Sequence, residues 1–179
     1  MIKKLESYNI VFIGFMGVGK TTISSHIAKL LNKELIETDV YIAEKANMDI
    51  PSIFDKFGEN YFRDLESEAV AEISKKHGIV ISCGGGAVIR EKNVLELKES
   101  GIIIRLTATP NTVLERVKNS KERPILNGHM NTEFISSLME KRDNFYSNAA
   151  DITISTDGKT VDEVAKECRE KSVSFIESK

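Results

Sequence analysis

Cysteine is scarce in this chain: Cys83 and Cys168 are the only two, and they stand far apart. They form no C-x-x-C pair and no ligand cluster with His26, His77 or His129, which excludes a zinc motif and a disulfide framework. Such usage suits a reducing compartment, and a cytoplasmic location is expected. Long apolar runs are also missing, and none approaches the roughly eighteen residues of a membrane span. The run Ile10-Val11-Phe12-Ile13 is too short for a signal-peptide core, and no small-residue cleavage site follows it. Neither sign of charge dominates. The formal net charge of −2 sets up no global field for nucleic acid or an anionic membrane, so an anionic substrate must be met by local cations. No repeat, low-complexity tract or Pro/Gly linker divides the sequence. Its 179 residues, 41% hydrophobic and 29% charged, suit one soluble domain. No long heptad run demands a dimer, and a monomer is expected.

What is present alternates. Short β-rich apolar runs at 8–13, 34–37, 79–82, 102–106 and 151–155 are separated by longer stretches of helical period, which predicts an α/β fold with a parallel sheet. Ile79-Val80-Ile81 and Ile102-Ile103-Ile104 do not alternate with polar residues, as expected of strands covered on both faces. Ile23, Ile27, Leu30 and Leu31 form one apolar stripe after the first strand. Thr109-Pro110 reads as a helix cap followed by proline at the first helical position. Thr160 to Glu163 reads as a capping box, with Val161, Val164, Ala165 and Cys168 on one face behind it. The polar segment 118–131 has no apolar period and holds Arg123-Pro124 and Asn127-Gly128. A loop of that length in a compact domain is either a functional lid or disordered, and a lid is expected.

Between the first strand and its helix lies Gly14-Phe15-Met16-Gly17-Val18-Gly19-Lys20-Thr21-Thr22, which fits G-x-x-x-x-G-K-[ST]. Glycines let successive N–H groups turn inward onto phosphate oxygens, and the helix N-terminus adds partial positive charge. Gly17, Val18, Gly19, Lys20, Thr21 and Thr22 are therefore candidates for holding a nucleoside triphosphate. Lys20 would reach the β- and γ-phosphates, and the Thr21 hydroxyl would bind Mg²⁺. The motif establishes nucleotide binding and leaves the reaction open.

Ligands of open parallel sheets sit beyond the carboxyl ends of the strands. There the second strand ends at Glu37-Thr38-Asp39 and the third at Gly84-Gly85-Gly86. A carboxylate in that place can accept a hydroxyl proton, and consecutive glycines let a substrate approach the main chain. Arg63 and Arg142 each offer a planar fork for a carboxylate. Taken singly, Asp39 also reads as a helix N-cap, the glycines as a turn, and each arginine as a solvated helix residue with Glu66 pairing Arg63.

The series GFMGVGKTT, ETD, FRDLE, GGGAV, ERPIL and KRDNFY resembles the shikimate kinases in order and spacing, over about residues 9–157. The resemblance implies a fold like that of the nucleoside monophosphate kinases, strand order 2-3-1-4-5, an acceptor-binding region at about 38–66 and a mobile lid at about 118–131. It implies ATP- and Mg²⁺-dependent transfer of phosphate to the 3-hydroxyl of shikimate, with Lys20, Asp39 and Arg123 in catalytic roles. Asp39, through the ring hydroxyls, with Arg63, Arg142 and the Gly84, Gly85, Gly86 backbone would hold shikimate, and Arg123 would meet the transferring phosphate. Arg116 and the segment Ser155-Thr156-Asp157 would border adenine. One departure stands out: Glu37 replaces the family's usual first aspartate and extends the carboxylate by roughly 1.5 Å, which a water-mediated magnesium contact tolerates. Two rivals stay open from the residues themselves. One is a kinase for gluconate or a nucleoside monophosphate; the other is a regulatory nucleotide-binding module, which only Glu37 favours.

Overall fold

The computed structural model describes residues 5–118 and 131–178. Five strands, Asn9–Ile13 (β1), Leu35–Glu37 (β2), Val80–Ser82 (β3), Gly101–Thr107 (β4) and Ile152–Ser155 (β5), pair in parallel in the order β2-β3-β1-β4-β5. This is the expected order, and no strand boundary moves by more than one residue from the apolar run that predicted it. Every residue of β1 is buried, and Val11 and Phe12 are wholly so. A central parallel strand is covered by helices above and below, which is why it carries no polar alternation. Asn9 is the polar exception at its start. Its side-chain amide donates to the Lys76 carbonyl (2.7 Å) and accepts from the Ile79 N–H (3.1 Å), satisfying what burial would otherwise strand.

The helices are Lys20–Leu30 (α1), Thr38–Ala46 (α2), Ile50–Ile73 (α3), Glu91–Ser100 (α4), Pro110–Val117 (α5), Thr132–Ala149 (α6) and Val161–Glu177 (α7). The contact stripe of α1 runs through Ile23, Ser24, Ile27 and Ala28. Leu30, expected on that stripe, is instead 52% exposed, because at about 100° per residue it falls at the border of the row. The expected caps form: Thr109 accepts from the Thr112 N–H ahead of Pro110, and Thr160 and Glu163 make a reciprocal capping box. Caps of this kind contribute about 1 kcal/mol each. Helix α3 is bent where Gly58 takes φ 81° and ψ 174°, dividing it into a short first arm and a longer second one.

Cys83 and Cys168 are free and buried. Burial raises both thiols, Cys168 to about 12, so neither serves as a thiolate nucleophile. Among the described residues no helix is long and apolar enough to cross a membrane. The expected lid, with Arg123 in it, lies outside the described residues; the elements on either side end at Lys118, which caps α5, and begin at Asn131, which caps α6.

Candidate active site

The loop 14–19 leaves β1 and enters α1 through backbone conformations that side chains resist. Gly14 has φ 139°, and a Cβ there would lie 2.4 Å from the Leu106 carbonyl oxygen. Gly19 has φ 100° as the N-cap of α1, with open space around it, so conformation alone demands glycine. Lys20 donates from Nζ to the carbonyls of Gly14 (2.8 Å) and Phe15 (3.0 Å), holding its ammonium over the loop's mouth. Thr21 Oγ1 donates to Glu37 Oε2 (3.3 Å), so hydroxyl and carboxylate face one spot. Among the described residues no cluster of His, Cys, Asp or Glu suffices to hold a metal. Two oxygen donors beside a phosphate cradle fit a magnesium ion held jointly with a nucleotide, since Mg²⁺ usually keeps waters and substrate phosphates as ligands.

Beside the loop is a second hollow of about 210 Å³ bordered by Val18, Gly19, Thr22, Arg116 and Thr156. Arg116 Nη1 bridges the Thr156 hydroxyl (3.0 Å) and the Gly17 carbonyl (3.3 Å). Thr156 is 4% exposed, and its hydroxyl is directed at the carbonyls of Val18 (3.1 Å) and Thr107 (3.2 Å). It braces the loop from behind, while Arg116 stands at the rim. Asp157 is occupied accepting from the Thr109 N–H (2.9 Å).

A cavity of about 290 Å³ opens on the other side of Lys20, lined among others by Asp39, Arg63, Glu66, Arg142 and the three glycines. The glycines prove to be a shelf for side chains. A Cβ on Gly84 would lie 2.3 Å from Asp39 Oδ1, one on Gly85 3.5 Å from Arg142 Nη1, and one on Gly86 1.9 Å from Arg63 Nη1. At Gly84 and Gly86 the space that glycine leaves is thus filled by Asp39 and Arg63, whereas a Cβ on Gly85 would meet Arg142 at ordinary contact distance. Thr38, fully buried, accepts from the Gly84 N–H (2.8 Å) and locks the shelf to the start of α2. Glu37 is the N-cap of α2 and makes no side-chain cap bond; Asp39 lies in the first turn, so the helix-cap reading of Asp39 fails.

Lodging in the cleft pushes the Asp39 carboxyl up, while the Lys20 ammonium and Arg63 guanidinium pull it back and Glu37 adds to the rise. The net shift is upward, which makes its carboxylate a better proton acceptor than a free aspartate. Arg63 is anchored rather than solvated: its side chain is 12% exposed, and its two Nη atoms donate to Glu66 (2.8 Å) and Glu59 (3.1 Å). Glu66 is 1% exposed, and its second oxygen, Oε1, has no hydrogen-bond partner among the described residues. The desolvation of Glu66 pushes its carboxyl up against the pull of Arg63. Its importance had a sequence signal: Glu66 lies on the same helical face as Phe62, Ala69, Val70 and Ile73, where an unpaired charge would not survive. Tyr146 is the other residue that sequence reasoning left without a task.

A family model described as shikimate kinase matches residues 16–172. A shikimate kinase of Geobacter sulfurreducens is 40% identical over 162 residues, covering 90% of this chain and 89% of its own. Another, of Caldanaerobacter subterraneus, is 42% identical over 159 residues, covering 89% and 92%. The structure of shikimate kinase from Acinetobacter baumannii in complex with shikimate superposes with a TM-score of 0.88 at 32% identity, covering 97% of this chain and 98% of that one.

Proposed function

The chain belongs to the shikimate kinase family and phosphorylates shikimate with ATP and Mg²⁺, a step of aromatic amino-acid biosynthesis, and from that premise we propose which residues do the work. Arg63 and Arg142 grip the acid's carboxylate beside the Gly84–Gly86 backbone. Asp39 accepts the proton of the 3-hydroxyl as that oxygen attacks. The N–H groups of loop 14–19 and Lys20 would hold the β- and γ-phosphates, Thr21 would hold the metal, and Glu37 would act on it through water. Thr22, Arg116 and Thr156 edge the nucleoside, and residues 38–66 form the acceptor-binding region. Bound Mg²⁺·ATP supplies the phosphoryl group and much of the charge neutralisation that such transfers need. Arg123 is assigned to the transferring phosphate from its place in the ERPIL motif alone.

The observation that supports this most is convergence. Two guanidinium groups remote in sequence, Arg63 and Arg142, rest on neighbouring glycines of one small cavity, with Asp39 on the next glycine and Lys20 at its edge. A base or a neutral polyol offers nothing for two such forks. The test is a coupled ADP-release assay with shikimate, gluconate and nucleoside monophosphates as acceptors. Shikimate alone is expected to support turnover, and comparable turnover with gluconate or a nucleotide would overturn the assignment of the acceptor. Among the described residues the exposed apolar side chains Leu30, Val40 and Leu95 stand on three different helices, and only Phe57 and Tyr61 stack together, a pair too small to demand a partner, which supports action as a monomer. Sedimentation equilibrium checks that state, and cell fractionation checks a cytoplasmic location.

A further inference from the structure

Tyr146, four residues beyond Arg142 on α6, has no part in the assignment above. Its ring is 3% exposed, and its hydroxyl donates to the carbonyl oxygen of Gly85 at 2.7 Å. The positive charge of the Arg142 guanidinium acts on the same hydroxyl. Both groups crowd one spot: a Cβ on Gly85 would lie 3.5 Å from Arg142 Nη1 and 3.6 Å from the Tyr146 oxygen. Behind the ring sits Arg105 of β4, its guanidinium carbon 5.8 Å from the ring centroid. Arg105 runs on to Ser147 (2.6 Å) and to Asp143, one turn of helix apart on α6. The inward face of α6 is therefore pinned to β4 from behind and to the glycine shelf in front.

Packing alone does not call for a hydroxyl here. Phenylalanine would fill the same space and bury the same ring, whereas the oxygen sits between a main-chain carbonyl of the shelf and the head of a long cationic side chain. A free arginine side chain loses rotamer freedom when a ligand fixes it. Fixing it beforehand strengthens binding by removing that cost from the ligand's account. We propose that Tyr146 is a positioning residue for the acceptor: its hydroxyl, spanning Gly85 and Arg142, holds the guanidinium over the shelf in the orientation that receives a carboxylate. The inference rests on the assignment of Arg142 to the acid made above. Burial raises the phenol above its ordinary range, with Arg142 pulling the other way, so the group stays an O–H donor at neutral pH.

The experiment is the kinetics of Tyr146→Phe in the full chain, alone and combined with Arg142→Ala. Loss of one polar contact with a charged group predicts a shikimate KM about tenfold higher. The KM for ATP, kcat and ADP affinity by calorimetry are expected to stay within about twofold, because the substitution leaves the nucleotide end untouched. The double variant is expected to bind shikimate no worse than Arg142→Ala alone, since a residue that acts only through Arg142 has no separate effect to add. An unchanged shikimate KM, equal losses at both substrates, or additive penalties in the double variant would each overturn the proposal. If Tyr146→Phe does not fold, a crystal of the native chain with shikimate decides. Arg142 bridging Tyr146 and the carboxylate sustains the proposal, and Arg142 turned away from Tyr146 refutes it. Native protein that fails to phosphorylate shikimate would instead strike at the acceptor assignment beneath it.

Discussion

The two ends of the cleft are built by opposite means. The phosphate end is a continuous stretch, 14–21, whose donors are main-chain N–H groups aimed by left-handed glycines, with one lysine laid across them. The acceptor end has almost no sequence continuity. Asp39, Arg63 and Arg142 come from α2, α3 and α6, and they share a location only because each leans on a different glycine of the loop after β3. At the first end glycine is needed above all for how the backbone turns, with Gly14 also pressed against Leu106; at the second, Gly84 and Gly86 are needed for what must fit against them. The phosphate end is therefore sensitive to strain within a few residues, and the acceptor end to displacement of groups far apart in the chain.

Mutations can pull these two dependencies apart. The largest effect is expected from Asp39→Asn, which keeps shape but loses the proton acceptor, lowering kcat by about 10²–10⁴ with nucleotide affinity intact. A loss below threefold in a coupled assay would leave Asp39 as a binding residue only. Next, Gly84→Ala and Gly86→Ala should split. The added methyl displaces Asp39 in the first and Arg63 in the second, both ends of flexible side chains, so the fold survives. Gly84→Ala is expected to lower kcat, and Gly86→Ala to raise shikimate KM about 10- to 100-fold through a lost charge-assisted contact. Identical kinetic signatures from the two would break the idea of one glycine per side chain.

Gly19→Ala provides the contrast at the other end. No atom other than Arg116 Nη1, at 3.9 Å, would come near the methyl, so the penalty is the left-handed backbone itself, about 1–2 kcal/mol. ADP affinity measured by calorimetry should fall about tenfold while shikimate KM holds, and a shift in shikimate KM would show that the ends are coupled. The smallest effect concerns pH. As the proposed proton acceptor Asp39 must be unprotonated, so kcat/KM is expected to fall as pH drops through its pKa, which cleft burial and Glu37 lift above the ordinary 3.8. Removing the Glu37 charge takes away one upward push. The acid limb of Glu37→Gln, recorded at saturating magnesium, is therefore expected to lie at lower pH than that of the native chain; a limb that stays in place would show that Glu37 does not act on Asp39.

The same contrast explains what could be read from the chain before its structure was known. The strands were legible because Ile79 to Ile81 and Ile102 to Ile104 are apolar without alternation, and the phosphate loop because its function is local. The acceptor residues were individually ambiguous: Arg63 with Glu66 at i+3 reads as a surface pair. Only folding reveals that Glu66 is 1% exposed and that Arg63 lies against Gly86. Resemblance to a family named the arginines and the glycines, but not the reason for three glycines in a row. Nor could spacing alone connect Tyr146 to Gly85, a pairing that spans 61 residues. Leu30 shows the limit of periodicity itself, since a residue at the edge of a stripe is assigned correctly only when the neighbouring surface is known.

The bend at Gly58 carries a consequence for how the acceptor pocket could diverge. Ile50 and Phe54, which line the cavity, lie before it; Arg63, to which the carboxylate grip is assigned, and its partner Glu66 lie after it, where Arg90 ties that arm down through the Arg63 carbonyl (2.9 Å) and Asp64 (2.7 Å). Wall and grip are thus mounted on separate struts of one helix. A lineage under pressure to admit a bulkier acid can reshape the first strut while the second keeps its hold, and the glycine at the joint, beside which a Cβ would meet nothing within 4 Å, is the residue that grants this independence.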